Sequence, residues 1–210
     1  MAVMKKLYSS TFLSVILGFL MIVNQSDHAI EIKPTEEKPV FRSIVERNDL
    51  TLPSDGKLHV DVFSAFTCSG CRTFGLGTLK PLYEGSKTKE NEVFTLHLTP
   101  NKEDETDLLA TKAALCAGKQ EKFWDMLGKL YEMEVITKEE IDLQIEALEL
   151  NQESFNACLE EDAIMTKIDE SLTKKETMGI KTLPSTLVNT TELMGAQPLE
   201  NVEREIRKHL

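Results

Sequence analysis

The stretch Phe63–Phe74 reads FSAFTCSGCRTF and sets Cys68 and Cys71 three positions apart, directly after an apolar run. Upstream, KLHVDVFSAF (57–66) has the composition of a strand buried on both faces. Downstream, CSGCRTFGLGTLKPLYEGS (68–86) carries Phe74, Leu79 and Leu82 at helical spacing, with Pro81 expected to kink or break the helix. A strand feeding a helix through Cys-x-x-Cys puts Cys68 at the helix N-terminus. There the unpaired N–H groups of residues 69–71 and the helix dipole favour its thiolate. Cys71, one turn further in, is shielded yet within bonding distance, so it can attack and resolve a mixed disulfide. The competing readings fare worse. A zinc site needs two more ligands, but Cys116 and Cys158 form no second Cys-x-x-Cys. His59 and His97 fall on expected strands without ligand spacing, so no metal is assigned. An inert structural bridge fits poorly at a strand-to-helix junction.

The chain of 210 residues, 41% hydrophobic and 28% charged, has room for one ordinary domain with an inserted subdomain. A formal charge of −11, with bases scattered among acids, argues against nucleic acid as a partner. After Lys5 and Lys6 comes the uncharged run LYSSTFLSVILGFLMIV (7–23). A short basic region followed by an apolar core is a secretory pattern, slightly short of the ~20 residues of a membrane span. Asp27 stands where cleavage after Ala29 would want a small residue. Residues 1–29 therefore read as a signal peptide or an N-terminal membrane anchor. Either way the body is exported, to a periplasm or an equivalent compartment, where disulfides form and persist. Four cysteines there suggest two bridges, with three connectivities open.

Residues 30–55 are a polar linker with Pro34, Pro39 and Pro53, leading into a first short strand near Phe41–Val45. Residues 56–104 hold strand, Cys-x-x-Cys helix and a second strand, VFTLHLTP (93–100). Residues 105–176 switch to the helical period and read as three or four helices. Leu109, Ala113, Cys116, Phe123, Leu127 and Leu130 form one stripe, and Thr137 with Glu140 occupies capping-box positions. Residues 177–210 hold a hairpin around Asn189–Thr190 and a closing helix with Pro198 at its start. The order predicts an α/β layer with an all-helical insertion. Cys116 and Cys158 fall on apolar faces of two insertion helices, where an exported protein is expected to bridge them. Closing that 42-residue loop stabilises by roughly 4 kcal/mol on chain-entropy grounds.

From about Leu58 onward the sequence resembles the DsbA-type thiol:disulfide oxidoreductases, thioredoxin-fold proteins with a helical insertion. The residues that carry the resemblance are VFSAFTCSGC (62–71), AALCAGKQEKFWDML (113–127), FNACLEED (155–162) and GIKTLPSTLVNTTELMGA (179–196). It implies Cys68 as nucleophile, Cys71 as resolving partner, and Pro184 as a cis-proline facing them. Leu183 would then offer its backbone to an extended substrate segment. The implied partners are reduced client proteins and a membrane redox partner of the DsbB type, with no cofactor.

Three departures from that family's pattern matter. The dipeptide Ser69-Gly70 supplies no cation, which predicts a weaker oxidant than the usual relatives and leaves open a reductase or isomerase, or, as a different class, a non-redox metal carrier or holdase of the same fold. Leu183 replaces the small or β-branched residue usual before the proline. The buried strand acid of the family falls on Val62, with Asp61 one place off. Strand alternation sends Asp61 to the other face unless a bulge restores it, and on that condition Asp61 is the candidate proton-transfer acid.

Overall fold

The computed structural model describes residues 57–210, together with the backbone of the short strand Phe41–Ser43. The expected leader over residues 1–29 and most of the linker over residues 30–55 lie outside the described residues.

Five strands form one mixed sheet in the order β1 (Phe41–Ser43), β5 (Thr191–Met194), β4 (Ser185–Val188), β2 (Leu58–Ser64), β3 (Glu92–Leu98). β2 is central. It runs parallel to β3 in unbroken register, from Leu58 opposite Glu92 to Ser64 opposite Leu98, and antiparallel to β4. β4 and β5 are the hairpin expected around Asn189–Thr190, and Asn189 takes the left-handed conformation (φ 52°) that Asn tolerates in a tight turn. Flanked on both sides, β2 buries Val60, Val62, Phe63 and Ser64, while His59 and Asp61 stay half-buried.

The parallel β2–β3 pair needs a crossover. It consists of α1 (Ser69–Phe74), a π-helical segment Gly75–Leu79, and α2 (Lys80–Ser86). The interruption lies just ahead of Pro81, whose ring cannot accommodate a regular carbonyl at Gly77 and which donates no hydrogen bond. Gly75 serves a packing need as well. A Cβ there would come within 2.4 Å of the Tyr131 ring.

Five helices, not three or four, follow β3: α3 (Glu105–Gly118), α4 (Phe123–Glu132), α5 (Lys138–Ala147), α6 (Gln152–Leu159) and α7 (Asp162–Thr177). The apolar stripe from Leu109 to Leu130 is two helices, because the chain turns over residues 119–122 with Glu121 at φ 63°. Neither Pro nor a second Gly announces that turn. Three caps behave as local chemistry requires. Asp104 accepts from Thr106 N at the start of α3, Thr137 from Glu140 N at α5, and Asn151 from Ser154 N at α6. Cys116 of α3 and Cys158 of α6 form a buried disulfide. α8 (Leu199–Ile206) closes the chain, with Pro198 as its N-cap residue.

One apolar cluster runs from Val60 and Val62 of β2, through Cys71, Phe74 and Leu79, into the insertion at Ala114, Met126 and Phe155. A smaller cluster of Phe63, Leu187, Met178 and Ile180 covers the other sheet face. Phe123 of the expected apolar stripe and its neighbour Trp124 are only half-buried. Trp124 instead stacks on Tyr83 of α2 with ring centroids 3.9 Å apart, seating the insertion against the crossover.

Candidate functional site

Cys68 is the N-cap residue of α1. Its backbone is extended (φ −96°, ψ 132°), and its Sγ accepts a hydrogen bond from Cys71 N at 3.1 Å. The structure holds Cys68 and Cys71 as a disulfide with Cα atoms 5.2 Å apart. Cys71 is fully buried and Cys68 half-exposed, so a protein thiol can reach only one of the two sulfurs.

Other chain segments come to the pair. The Leu183–Pro184 peptide bond is cis, as the resemblance implies, and Pro184 packs on the active-site turn. A Cβ on Gly70 would meet Pro184 Cδ at 3.2 Å and the Leu183 carbonyl oxygen at 3.8 Å. Ser69 is exposed at the helix tip. Cavities open on either side of Cys68. One, of about 390 Å³, is apolar in the main, with Phe66, Leu130, Met133 and Ile136 on its walls and Val135 68% exposed at its edge. Arg72 also lines it, and its guanidinium donates to the carbonyl of Glu132 at 2.9 Å, tying α1 to the end of α4. The other, of about 620 Å³, is lined by Cys68, Leu183, Pro100, Lys102, Asp107 and Lys175.

Asp61 does not join this site. β2 has no bulge, so Asp61 shares a face with Phe63 and Leu187, opposite the face that holds Val62 and Cys71. Its carboxylate bonds His97 Nε2 at 2.8 Å, and His97 stacks on Phe63. Val62 leaves the family's acid position apolar.

Sequence reasoning missed a buried polar group behind the cysteines. Asp107 is 1% exposed and accepts from Phe66 N at 2.8 Å and from Asn101 N at 3.0 Å. Tyr131 and Ser64 share a buried hydrogen bond of 2.8 Å, and the Tyr131 ring packs on Phe66. Burial pushes the Tyr131 hydroxyl well above the usual phenol range, the Ser64 bond opposes this, and the Asp107 carboxylate adds to it. A signal existed. Asp107 lies on the face of Ala110, Ala114 and Ala117, where the helical period calls for an apolar residue. Among the described residues, no group of three or more His, Cys, Asp or Glu side chains could hold a metal ion.

The family model described as Thioredoxin matches residues 53–208. No curated protein matches the chain. Solved structures that share its fold include the thiol-disulfide exchange protein alpha-DsbA2 from Wolbachia pipientis, 15% identical, with TM-score 0.63 over 75% of this chain and 84% of that one. BdbD from Bacillus subtilis, in its oxidised form, is 17% identical with TM-score 0.62, covering 75% and 89%. A periplasmic thioredoxin-like protein from Salmonella enterica serovar Typhimurium is 19% identical with TM-score 0.59, covering 76% and 87%. The fold is therefore the thioredoxin fold with a helical insertion, and the Cys68–Cys71 pair fits the Cys-x-x-Cys motif of thiol:disulfide oxidoreductases.

Proposed function

The chain belongs to the thioredoxin family, and we propose that it is an exported thiol:disulfide oxidoreductase that passes its Cys68–Cys71 disulfide to folding client proteins. The observation that carries this is the asymmetry of the pair: Cys68 half-exposed at the tip of α1, Cys71 fully buried behind it. A client thiolate attacks Cys68 Sγ, the Cys68–Cys71 bond breaks, and Cys71 leaves with the electron pair and takes a proton. A second client thiolate then attacks the client sulfur of the mixed disulfide and expels Cys68 as the leaving thiolate. The client is oxidised by two electrons and the enzyme pair is reduced. Leu183, lining the cavity beside Cys68, offers backbone groups to an extended client segment. A membrane redox partner of the DsbB type reoxidises the pair, and the leader over residues 1–29 delivers the protein to an oxidising compartment.

The test uses oxidised full-length protein and a reduced, unfolded secreted protein as client. Client disulfides should form at the rate at which Cys68–Cys71 is consumed. A Cys71→Ala variant offered the same client in disulfide-bonded form should attack it through the Cys68 thiolate, expel one client thiolate and, with no Cys71 to resolve it, accumulate mixed disulfides on Cys68. Mixed disulfides on position 71 of a Cys68→Ala variant, with none in Cys71→Ala, would sink the assignment.

A reductase or isomerase role is the second reading, favoured by Ser69-Gly70. Without a cation in the dipeptide, the Cys68 thiolate has less support and the disulfide less oxidising force.

A further inference from the structure

Asp107 bridges the two loops that frame Cys68. One of its oxygens accepts from Phe66 N, two residues before the cysteine, and the other from Asn101 N in the loop leaving β3. Both oxygens act as acceptors, which is the bonding of an ionised carboxylate. Asp104 already caps α3, so Asp107 is not needed for that task. A charge at 1% exposure is costly, and the two backbone donors offset that cost only while both loops stay in place. Asp107 also lines the cavity that opens on Cys68, and the half-buried Lys175 of α7 lines the same cavity.

We propose that Asp107 and Lys175 are positioning residues for Cys68 that set its redox equilibrium from opposite directions, Asp107 by fixing the loop and placing a negative charge on the wall of the cavity it shares with Cys68, Lys175 by placing a positive one there. This rests on the reading of Cys68–Cys71 as a redox couple, but not on which way electrons flow to clients. Reduction creates a thiol at Cys68 whose thiolate form is stabilised by a cation and destabilised by an anion. The Asp107 charge therefore favours the disulfide over the dithiol, and the Lys175 charge favours the dithiol. The remaining charged groups of the cavity are Glu103 and Lys102, with Lys102 paired with Asp169 at 2.7 Å, and the other cavity lined by Cys68 adds Arg72 and Glu134. Tyr131, close behind Asp107, stays neutral at working pH.

The equilibrium is protein disulfide plus two glutathione thiols giving protein dithiol plus glutathione disulfide. Two electrons and two protons pass from glutathione to the protein. Its constant is measured at neutral pH on the full chain, with the Cys68 thiolate followed by alkylation rate against pH. Asp107→Asn should shift the constant about tenfold toward the dithiol, equivalent to about 30 mV, and lower the pH at which Cys68 becomes reactive. Lys175→Gln should shift both readouts the opposite way by several-fold. Asp107→Glu, which keeps the charge, should stay near the wild-type constant even if loop displacement slows client oxidation. A constant within twofold of wild type for Asp107→Asn, or shifts of the same sign for Asp107→Asn and Lys175→Gln, overturns the proposal. Should Asp107→Asn lose cooperative unfolding, Lys175→Gln decides alone, and an unchanged constant there refutes it. If wild-type protein cannot be titrated by glutathione at all, it is the redox assignment of the pair that fails.

Discussion

Gly70 and Pro184, 114 positions apart in the chain, are packed so closely that a Cβ on Gly70 would lie 3.2 Å from Pro184 Cδ. The intervening dipeptide of the Cys-x-x-Cys turn is thus packed against Leu183 and Pro184, the proposed client contact. Its second position is constrained by sterics as well as by electrostatics.

Gly70→Ala should therefore press on Pro184 at a cost of about 1 kcal/mol, in the lower range for overpacking. We expect the rate of client oxidation to fall several-fold through KM, while the glutathione equilibrium moves little. Kinetics with an extended peptide dithiol measure this. An unchanged KM would mean that clients do not dock at Leu183 and Pro184.

Replacing Ser69-Gly70 by Pro-His should make the pair more oxidising, because a ring stiffens the turn and an imidazolium supports the Cys68 thiolate. The wild-type couple is expected at roughly −180 to −250 mV, between thioredoxin near −270 mV and DsbA near −120 mV. The new histidine must displace Pro184 slightly, so the gain in potential should come with weaker client binding. A wild-type potential near −120 mV would show that the dipeptide does not control the couple.

Cys116–Cys158 should survive a mild reductant that opens Cys68–Cys71, since both of its sulfurs belong to buried residues between α3 and α6. Replacing both cysteines by Ala should cost about 3–4 kcal/mol of unfolding free energy, the range for closing a loop of 42 residues. Denaturant titration of the two proteins gives the difference, and peptide mapping under graded reductant gives the order of opening.

Tyr131→Phe removes the hydroxyl bonded to Ser64 and should cost about 1 kcal/mol near neutral pH. The effect should change with pH in a set direction. Burial raises the Tyr131 hydroxyl above the unfolded value near 10, so its contribution is fully present below that pH. Above it the unfolded chain releases a proton that the folded one retains, and the contribution is lost as pH rises. Stability curves of wild type and variant should therefore converge between about pH 10 and 12.

Much of this protein was legible along the chain because the governing interactions are local. Cys68 and Cys71 are three residues apart, so the strand before them and the helical spacing after them suffice to place one sulfur at a helix tip. The hairpin at Asn189–Thr190, the Thr137 cap and the apolar faces that carry Cys116 and Cys158 are local in the same sense. The cis bond at Pro184 came from a family motif and not from spacing.

What only the tertiary structure decided involves partners without any periodic relation in sequence. Asp107 bonds Phe66 N across 41 positions, and Tyr131 bonds Ser64 across 67. A polar residue on an apolar helical face signals that it has a partner, but not which backbone group supplies it. The split of the long apolar stripe into α3 and α4 depends on a left-handed Glu121, a conformation the residue type does not advertise. The side of the sheet that Asp61 faces was settled by the unbroken register of β2 on β3, because a single bulge would have reversed it.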